Sequence, residues 1–188
     1  MHFQMATATI LSSLLALVFA AADSPSWNDD QGCSSPCMTS QDAHHAAINF
    51  QTLITDYSDS LADTYLAPDF IDYSDSVTEL INGACAGPQP LGEPTFPSLD
   101  AFKEGQGSQP SIPFEILNVW YSCDTVTIRW RSAQTPQIVT GIIVLETVFA
   151  PSGDQFPWKI SAVYSEFNSG SWLVNLGVFQ PSNCTAPA

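Results

Sequence analysis

Two periodicities of apolar residues follow one another along this chain, and the change between them divides it. In "TSQDAHHAAINFQTLITDY", Ala43, Ala47, Phe50, Ile54 and Tyr57 recur at helical spacing and predict an amphipathic helix. Thr39 followed by Asp42 reads as a capping box at its start. His45 aligns with Asn49, Thr52 and Asp56 on the polar face, and His44 lies at the flank beside Ile48. "SDSLADTYL" predicts a shorter helix stopped by Pro68, and "DFIDY" a short strand or extended turn. Ser76 to Glu79 repeats the S-x-x-E start and predicts one or two helical turns up to Asn82-Gly83. Six of the fourteen prolines then fall between Pro88 and Pro113, a loop interrupted by a helix at "SLDAFKEGQG" with Ser98 as its cap.

From Phe114 the period shortens to two. "FEILNVWYS", "TVTIRWRS", "QIVTGIIVLETVFA" and "PWKISAVYSEFNS" are rich in β-branched and aromatic residues and are separated by turn signals. The third run is apolar on both faces, which predicts a strand that is central or covered on both sides. Helices followed by four antiparallel strands predict an α+β layer fold with helices on one face of a curved sheet.

The start of the chain belongs to another class. "ILSSLLALVFA" is too short to span a bilayer, and Ala20-Ala21-Ala22 offers small residues for cleavage, so residues 1–22 read as a secretory signal peptide. Residues 23–36 are polar, lack periodicity and read as an arm. The expected destination is outside the cell, which makes Cys33, Cys37, Cys85, Cys123 and Cys184 disulfide candidates before nucleophiles. Asn183 in "NCT" is the N-glycosylation acceptor, in the tail 181–188. Nineteen acids against four bases give a net charge of −15. That charge repels nucleic acid and anionic membrane surfaces, leaving solubility in an acidic medium as its reading.

Several kinds of chemistry are poorly provided for. There is no G-x-S-x-G elbow, and past the leader only His44 and His45 remain as histidine bases. Adjacent histidines diverge by ~100° on a helix, Cys33 and Cys37 lack a second pair, and "GQGSQP" lacks the third glycine of a dinucleotide loop. The expectation is no metal and no cofactor. What remains is acid–base and hydrogen-bonding chemistry. Glu115 and Glu146 sit within strands rich in apolar residues, where a carboxyl can carry a raised pKa suited to proton transfer or can form an ion pair. Arg129 reads as an anchor for an anion or carbonyl, or as the partner of a sheet acid such as Glu146. Tyr57 and Tyr73 read as phenolic proton donors or as core aromatics with a wetted hydroxyl. If Ser122 to Thr125 form a turn, one hairpin face carries Leu117/Trp130, Val119/Ile128 and Tyr121/Val126. The other then carries Ile116/Arg131, Asn118/Arg129 and Trp120/Thr127.

The order of elements, together with "YLAPDFIDYSDSV" and the pattern P-T-F-P…AF…GQG…IPFE…W…CDxVxxRW, resembles the nuclear transport factor 2-like superfamily, and within it secreted fungal proteins of that fold. The resemblance runs over residues 37–180. It implies a cone-like fold, with N-terminal helices packed on a curved, mainly antiparallel sheet enclosing a pocket. It also implies a homodimer through the outer sheet face and a disulfide between Cys37 and Cys123. Relatives by fold include scytalone dehydratase and SnoaL-like polyketide cyclases, in which pocket Asp, His and Tyr residues move protons without a cofactor. Asp72 sits where the dehydratase-like relatives place pocket polar groups; its other reading is a turn carboxylate. The resemblance thus implies a cofactor-independent cyclase, isomerase, dehydratase or pericyclase of secondary metabolism, acting on a small apolar metabolite. Asp72, Tyr57 and Glu146 are then the candidate catalytic groups, and Arg129, Tyr73 and Glu115 the candidate ligand contacts. The alternative is a secreted, non-catalytic small-molecule-binding or effector protein of the same fold.

Overall fold

Helix α1 (Ser40–Thr55) begins where the capping box places it: Asp42 N–H donates to Thr39 Oγ1 at 3.2 Å, and Thr39 N–H donates to the Asp42 carboxylate at 2.8 Å. The computed structural model describes residues 36–83, 89–150 and 156–180. The expected leader and arm, Cys33, Cys85, Cys184, Asn183 and the tail lie outside the described residues. Along α1 the buried stripe is Ala43, Ala46, Ala47, Phe50 and Leu53, and Asn49 is buried with it. Asn49 therefore leaves the polar face assigned to it. The helix packs against α2 (Asp59–Tyr65) as well as the sheet, which widens the covered stripe.

Helix α2 stops at Leu66, and strand β1 (Leu66–Tyr73) absorbs Pro68 instead of ending before it. Helix α3 (Asp75–Gly83) is capped by Ser74, whose Oγ accepts from Val77 N–H at 3.0 Å. Ser76, the expected cap, turns its hydroxyl to Glu166 instead. Helix α4 (Leu99–Gly107) starts at the expected cap, Ser98. Strands β2 (Glu115–Tyr121), β3 (Thr125–Ser132), β4 (Val139–Phe149) and β5 (Trp158–Phe167) follow, and helix α5 (Ser169–Asn175) comes last.

The five strands form one mixed sheet in the order β1-β5-β4-β3-β2. All pairings are antiparallel except β1 with β5, which is parallel and brings Asp72 opposite Val163. β4 is central, as its apolar character predicts. Register breaks in β1, β2 and β4 curve the sheet into the wall of a cone. On the concave face Val126, Ile128, Ile143, Leu145, Ile160 and Val163 are buried in the core that α1 covers, and α4 packs beside it on β1. Each such side chain contributes roughly 1.5–3 kcal/mol when removed from water. Among the described residues no helix is long and apolar enough to cross a membrane.

The hairpin β2–β3 follows its turn only part of the way. Asn118 to Tyr121 pair with Arg129 to Val126 in the expected register. An irregularity at Leu117 then shifts the pairing, so Ile116 faces Trp130 and Glu115 faces Arg131. The expected pairs Leu117/Trp130 and Ile116/Arg131 do not form, because a bulged residue moves every later side chain by one step. At the hairpin tip Cys123 is bonded to Cys37, 86 residues away, and Met38 N–H donates to Cys123 O at 2.8 Å. The bond joins the start of α1 to the sheet and closes a long loop in the unfolded chain. The double substitution Cys37→Ser/Cys123→Ser is expected to lower unfolding free energy by about 4 kcal/mol in the loop-entropy account. Urea unfolding of the two proteins under non-reducing conditions checks this; an unchanged midpoint contradicts it.

Candidate functional site

Alternation along β1 turns Phe70 and Asp72 toward the concave face and Tyr73 away from it. The parallel pairing then sets Asp72 in one row with Val163, Leu145 and Val126, each 0% exposed. Asp72 itself is 5% exposed. Its backbone exchanges two hydrogen bonds with Phe96, Asp72 N–H to Phe96 O at 2.9 Å and Phe96 N–H to Asp72 O at 3.2 Å. Its Oδ1 is buried and has no hydrogen-bond partner. Burial, and secondarily the charge of Glu166, push the carboxyl pKa up to about 7.

Beside this acid lies a polar cluster that is fully used. Thr95 Oγ1 accepts from Ser74 N–H at 3.0 Å, donates to Ser74 O at 2.9 Å and meets Thr78 Oγ1 at 3.0 Å. Glu166 on β5 accepts from Asp75 N–H at 3.0 Å, Ser76 N–H at 3.1 Å and Ser76 Oγ at 2.5 Å. A carboxylate at the N-terminus of α3 satisfies otherwise unpaired N–H groups and favours the helix dipole. Glu166 thus has a structural task and also adds negative charge near Asp72. Among the described residues two further buried polar atoms lack partners, Trp130 Nε1 and Ser132 Oγ. Both residues alternate with Val126 and Ile128 on β3 and so belong to the same concave face.

The other expected groups do not converge on Asp72. Tyr57 lies just beyond α1, its hydroxyl donating to Asp59 Oδ1 at 2.8 Å. Burial, then the bond to Asp59, raise its pKa. Glu146 is exposed on the outer face of β4, as is Arg129 on β3. Their expected ion pair is absent: Arg129 stands opposite Ile142 and Glu146 opposite Thr125, and Arg129 reaches only Asn118 Oδ1 at 3.5 Å. Glu115 is exposed and bonds Arg131 Nε at 2.9 Å, a consequence of the shift at Leu117. Tyr73 stacks on Tyr164 on the outer face, with ring centroids 5.3 Å apart. Six candidates therefore occupy the interior, one end of α1, the sheet edge and the outer face.

Two concavities stand out among the described residues, and neither contains Asp72. One is a groove of about 450 Å³ between α1 and β2, lined by His44, Ala47, Ile48, Gln51, Phe114 and Val119. The other, about 240 Å³, holds Tyr57, Asp56, Gln106, Gln109 and Ser111. Between the sheet and the helices, where a pocket was expected, aromatic rings are packed together. Phe70 meets Phe102 at 5.2 Å, Phe102 meets Phe96 at 5.7 Å, and Phe114 stacks on Trp130 at 4.7 Å. Reading the sequence overlooked Phe96 and Glu166. For Phe96 a signal existed, since Thr95-Phe96 between two prolines is a forced extended segment. For Glu166 there was none, because only the fold brings it near Asp72.

The raised pKa of Asp72 has a measurable consequence. A carboxyl that holds its proton to about 7 when folded, but has a reference value of 3.8, keeps a proton that the unfolded chain has released. Asp72 therefore lowers stability progressively as pH rises between those two values, by at most roughly 4 kcal/mol, and the effect levels off above the higher one. Asp72→Asn is expected to be less destabilised than the wild type over that interval. Urea unfolding of both proteins at several pH values provides the difference; parallel pH profiles would exclude the assigned burial effect.

Comparison with known proteins adds the family. Residues 36–179 match the model of the NTF2-like domain. Among solved structures, a candidate polyketide cyclase from Bacillus cereus shares 18% identity at a TM-score of 0.52, covering 74% of this chain and 83% of its own. A loop-truncation variant of IdmH, whose wild type is a candidate polyketide cyclase from Streptomyces antibioticus, shares 13% identity at a TM-score of 0.51, covering 72% and 99%. A de novo designed protein with a curved β-sheet shares 11% identity at a TM-score of 0.50, covering 75% and 97%. Identities this low show the fold alone. No curated protein matches the sequence.

Proposed function

Because the chain belongs to the NTF2-like domain family, we propose that it is a secreted, cofactor-independent enzyme of secondary-metabolite biosynthesis, of cyclase, isomerase, dehydratase or pericyclase type, with Asp72 as its acid. The observation that carries this reading is a carboxyl that is 5% exposed, poised near neutral pH and left with one oxygen unpaired. Protonated, it donates a hydrogen bond or a proton to a substrate carbonyl; ionised, it accepts a proton from an adjacent carbon or hydroxyl. Low-dielectric surroundings strengthen both interactions. One structurally similar protein, from Bacillus cereus, is named as a candidate polyketide cyclase, which agrees with the cyclase-type reading. The Cys37–Cys123 bond supports an oxidising destination.

A second reading, a non-catalytic binding or effector protein, is favoured by the aromatic packing between sheet and helices and by the dispersal of the other polar candidates. Disrupting the gene in an expressing strain and comparing extracellular metabolites separates the two. The enzyme reading expects a product to disappear or a precursor to accumulate, with restoration by the wild-type gene and not by Asp72→Asn. An unchanged profile, or full restoration by Asp72→Asn, would favour the binder.

The same proposal includes a homodimer through the outer sheet face. Trp120, Thr127, Val144, Tyr164 and Tyr73 form one row across all five strands there. Ile142 beside it is 44% exposed and Trp120 52%. Arg129 lies one step to one side of this row, and Glu146 one step to the other. A two-fold axis along the row carries Arg129 of each copy to the Glu146 side of the other, an isologous pairing around an apolar centre. Glu146→Arg is expected to weaken the dimer by an order of magnitude or more, as ~1.4 kcal/mol per tenfold implies. Sedimentation equilibrium measures this; a wild type that is monomeric at high concentration removes the dimer from the proposal.

A further inference from the structure

The unpaired oxygen of Asp72 invites the question of what covers it. Asp72 and Phe96 are partners in a closely hydrogen-bonded antiparallel bridge, so their side chains project to the same side. Phe96 is half-buried where Asp72 is buried, and its ring is the outermost of the series Phe70, Phe102, Phe96. The backbone beneath that ring is tied down by the three contacts of Thr95 Oγ1 with Ser74 and Thr78. The ring itself is held only by packing, edge-to-face with Phe102 and against Gly105. A methyl group added at Gly105 would run into the Phe96 ring. Helix α4 thus carries glycine at a position where alanine would favour the helix by about 1 kcal/mol, and the vacancy is filled by Phe96.

We infer that the Phe96 side chain is a displaceable plug over a binding subsite at Asp72, and that the subsite takes a planar, apolar ligand bearing a carbonyl group. This inference rests on the reading of Asp72 as the functional acid. The space that the ring vacates has the flat shape of an aromatic ring, bounded by the Phe102 ring and by Gly105 of α4, and a planar ligand inherits the same T-shaped contact. In its protonated form Asp72 donates from Oδ1 to a carbonyl oxygen on that ligand, the partner the atom lacks, and a buried polar atom left unpaired costs about 1–3 kcal/mol. Anionic ligands are disfavoured by Glu166, and by Asp72 once it is ionised. Glu166 on β5 is the one charged group that shifts the Asp72 titration. In the unliganded protein Phe96 excludes water from the acid, and rotation of its side chain exposes the subsite without moving the tied backbone.

The test is titration of acetophenone into the wild type, Phe96→Ala and Gly105→Ala, followed by the NMR resonance of the Asp72 carboxyl carbon. Phe96→Ala removes the plug, and Gly105→Ala pushes it out while leaving it in the chain. Both are expected to bind the ketone about tenfold or more tightly than the wild type, a gain of ~1.4 kcal/mol, and in both the ketone is expected to shift the Asp72 resonance. Equal weak binding by all three, or binding that leaves the resonance unmoved, overturns the plug. If Phe96→Ala does not fold, as judged by its thermal transition, Gly105→Ala decides alone. Gain of ketone affinity combined with full metabolic restoration by Asp72→Asn would keep the plug and remove only the catalytic reading. Failed restoration without any gain of affinity would do the reverse.

Discussion

The parallel pairing of β1 with β5 is the constraint on which the rest of this molecule depends. It joins a strand formed early in the chain to the last strand of the sheet, with Asp72 opposite Val163 and Tyr73 opposite Tyr164. Everything between them, helices α3 and α4 and three antiparallel strands, must fit within that closure. The pairing turns Asp72 inward and Tyr73 outward, because neighbouring strand residues face opposite sides. It also carries Glu166 to the N-terminus of α3, where three donors hold its carboxylate. The interior acid and the charge beside it are thus products of one non-local contact.

Two devices hold the cone from different places. At the hairpin tip the Cys37–Cys123 bond and the Met38–Cys123 hydrogen bond tie the start of α1 to the sheet. At the end of β1, Glu166, Thr95 and the Phe96 bridge tie α3 and the proline-rich segment to β1 and β5. Burial of Asp72 works against them, since a carboxyl with an unpaired oxygen in an apolar row is unfavourable in either protonation state. Unfavourable local arrangements of this kind persist when surrounding structure over-determines them, and they concentrate at functional sites.

The outer face follows a different logic. A chain with nineteen acids and four bases carries strong negative charge, yet along one row of this face run Trp120, Val144, Tyr164 and Tyr73, with Arg129 and Glu146 on opposite sides of the row. Lys103 and Arg131 find carboxylates within their own fold, at Asp63 and Glu115. Arg129 reaches only an amide. Lys159 donates to Asp63 O, so of the basic residues only Arg129 stays on the outer sheet face without a carboxylate.

Local features were legible without any structure. The Thr39–Asp42 box, the Ser98 cap, the Ala43–Ala47–Phe50 part of the α1 stripe and the central position of β4 follow from side-chain spacing and local hydrogen bonds; Leu53 takes the buried place expected of Ile54, and Tyr57 lies beyond the helix. The hairpin register from Asn118 to Tyr121 was equally legible, because a tight turn sets the pairing next to it. Tertiary structure decided the rest. The irregularity at Leu117 gave Arg131 to Glu115, and a one-residue shift of this kind has no signature in the pattern of apolar residues; the β3–β4 register, which sets Arg129 opposite Ile142, kept it from Glu146. Ser76 gave up its capping role to bond Glu166, a residue ninety positions away. Asp72 looked like a turn carboxylate or a pocket acid, and only the parallel closure made it a buried one beneath Phe96. Sequence determines what each segment can form, since those forces act over a few residues; which face meets which neighbour is settled by contacts between segments far apart in the chain.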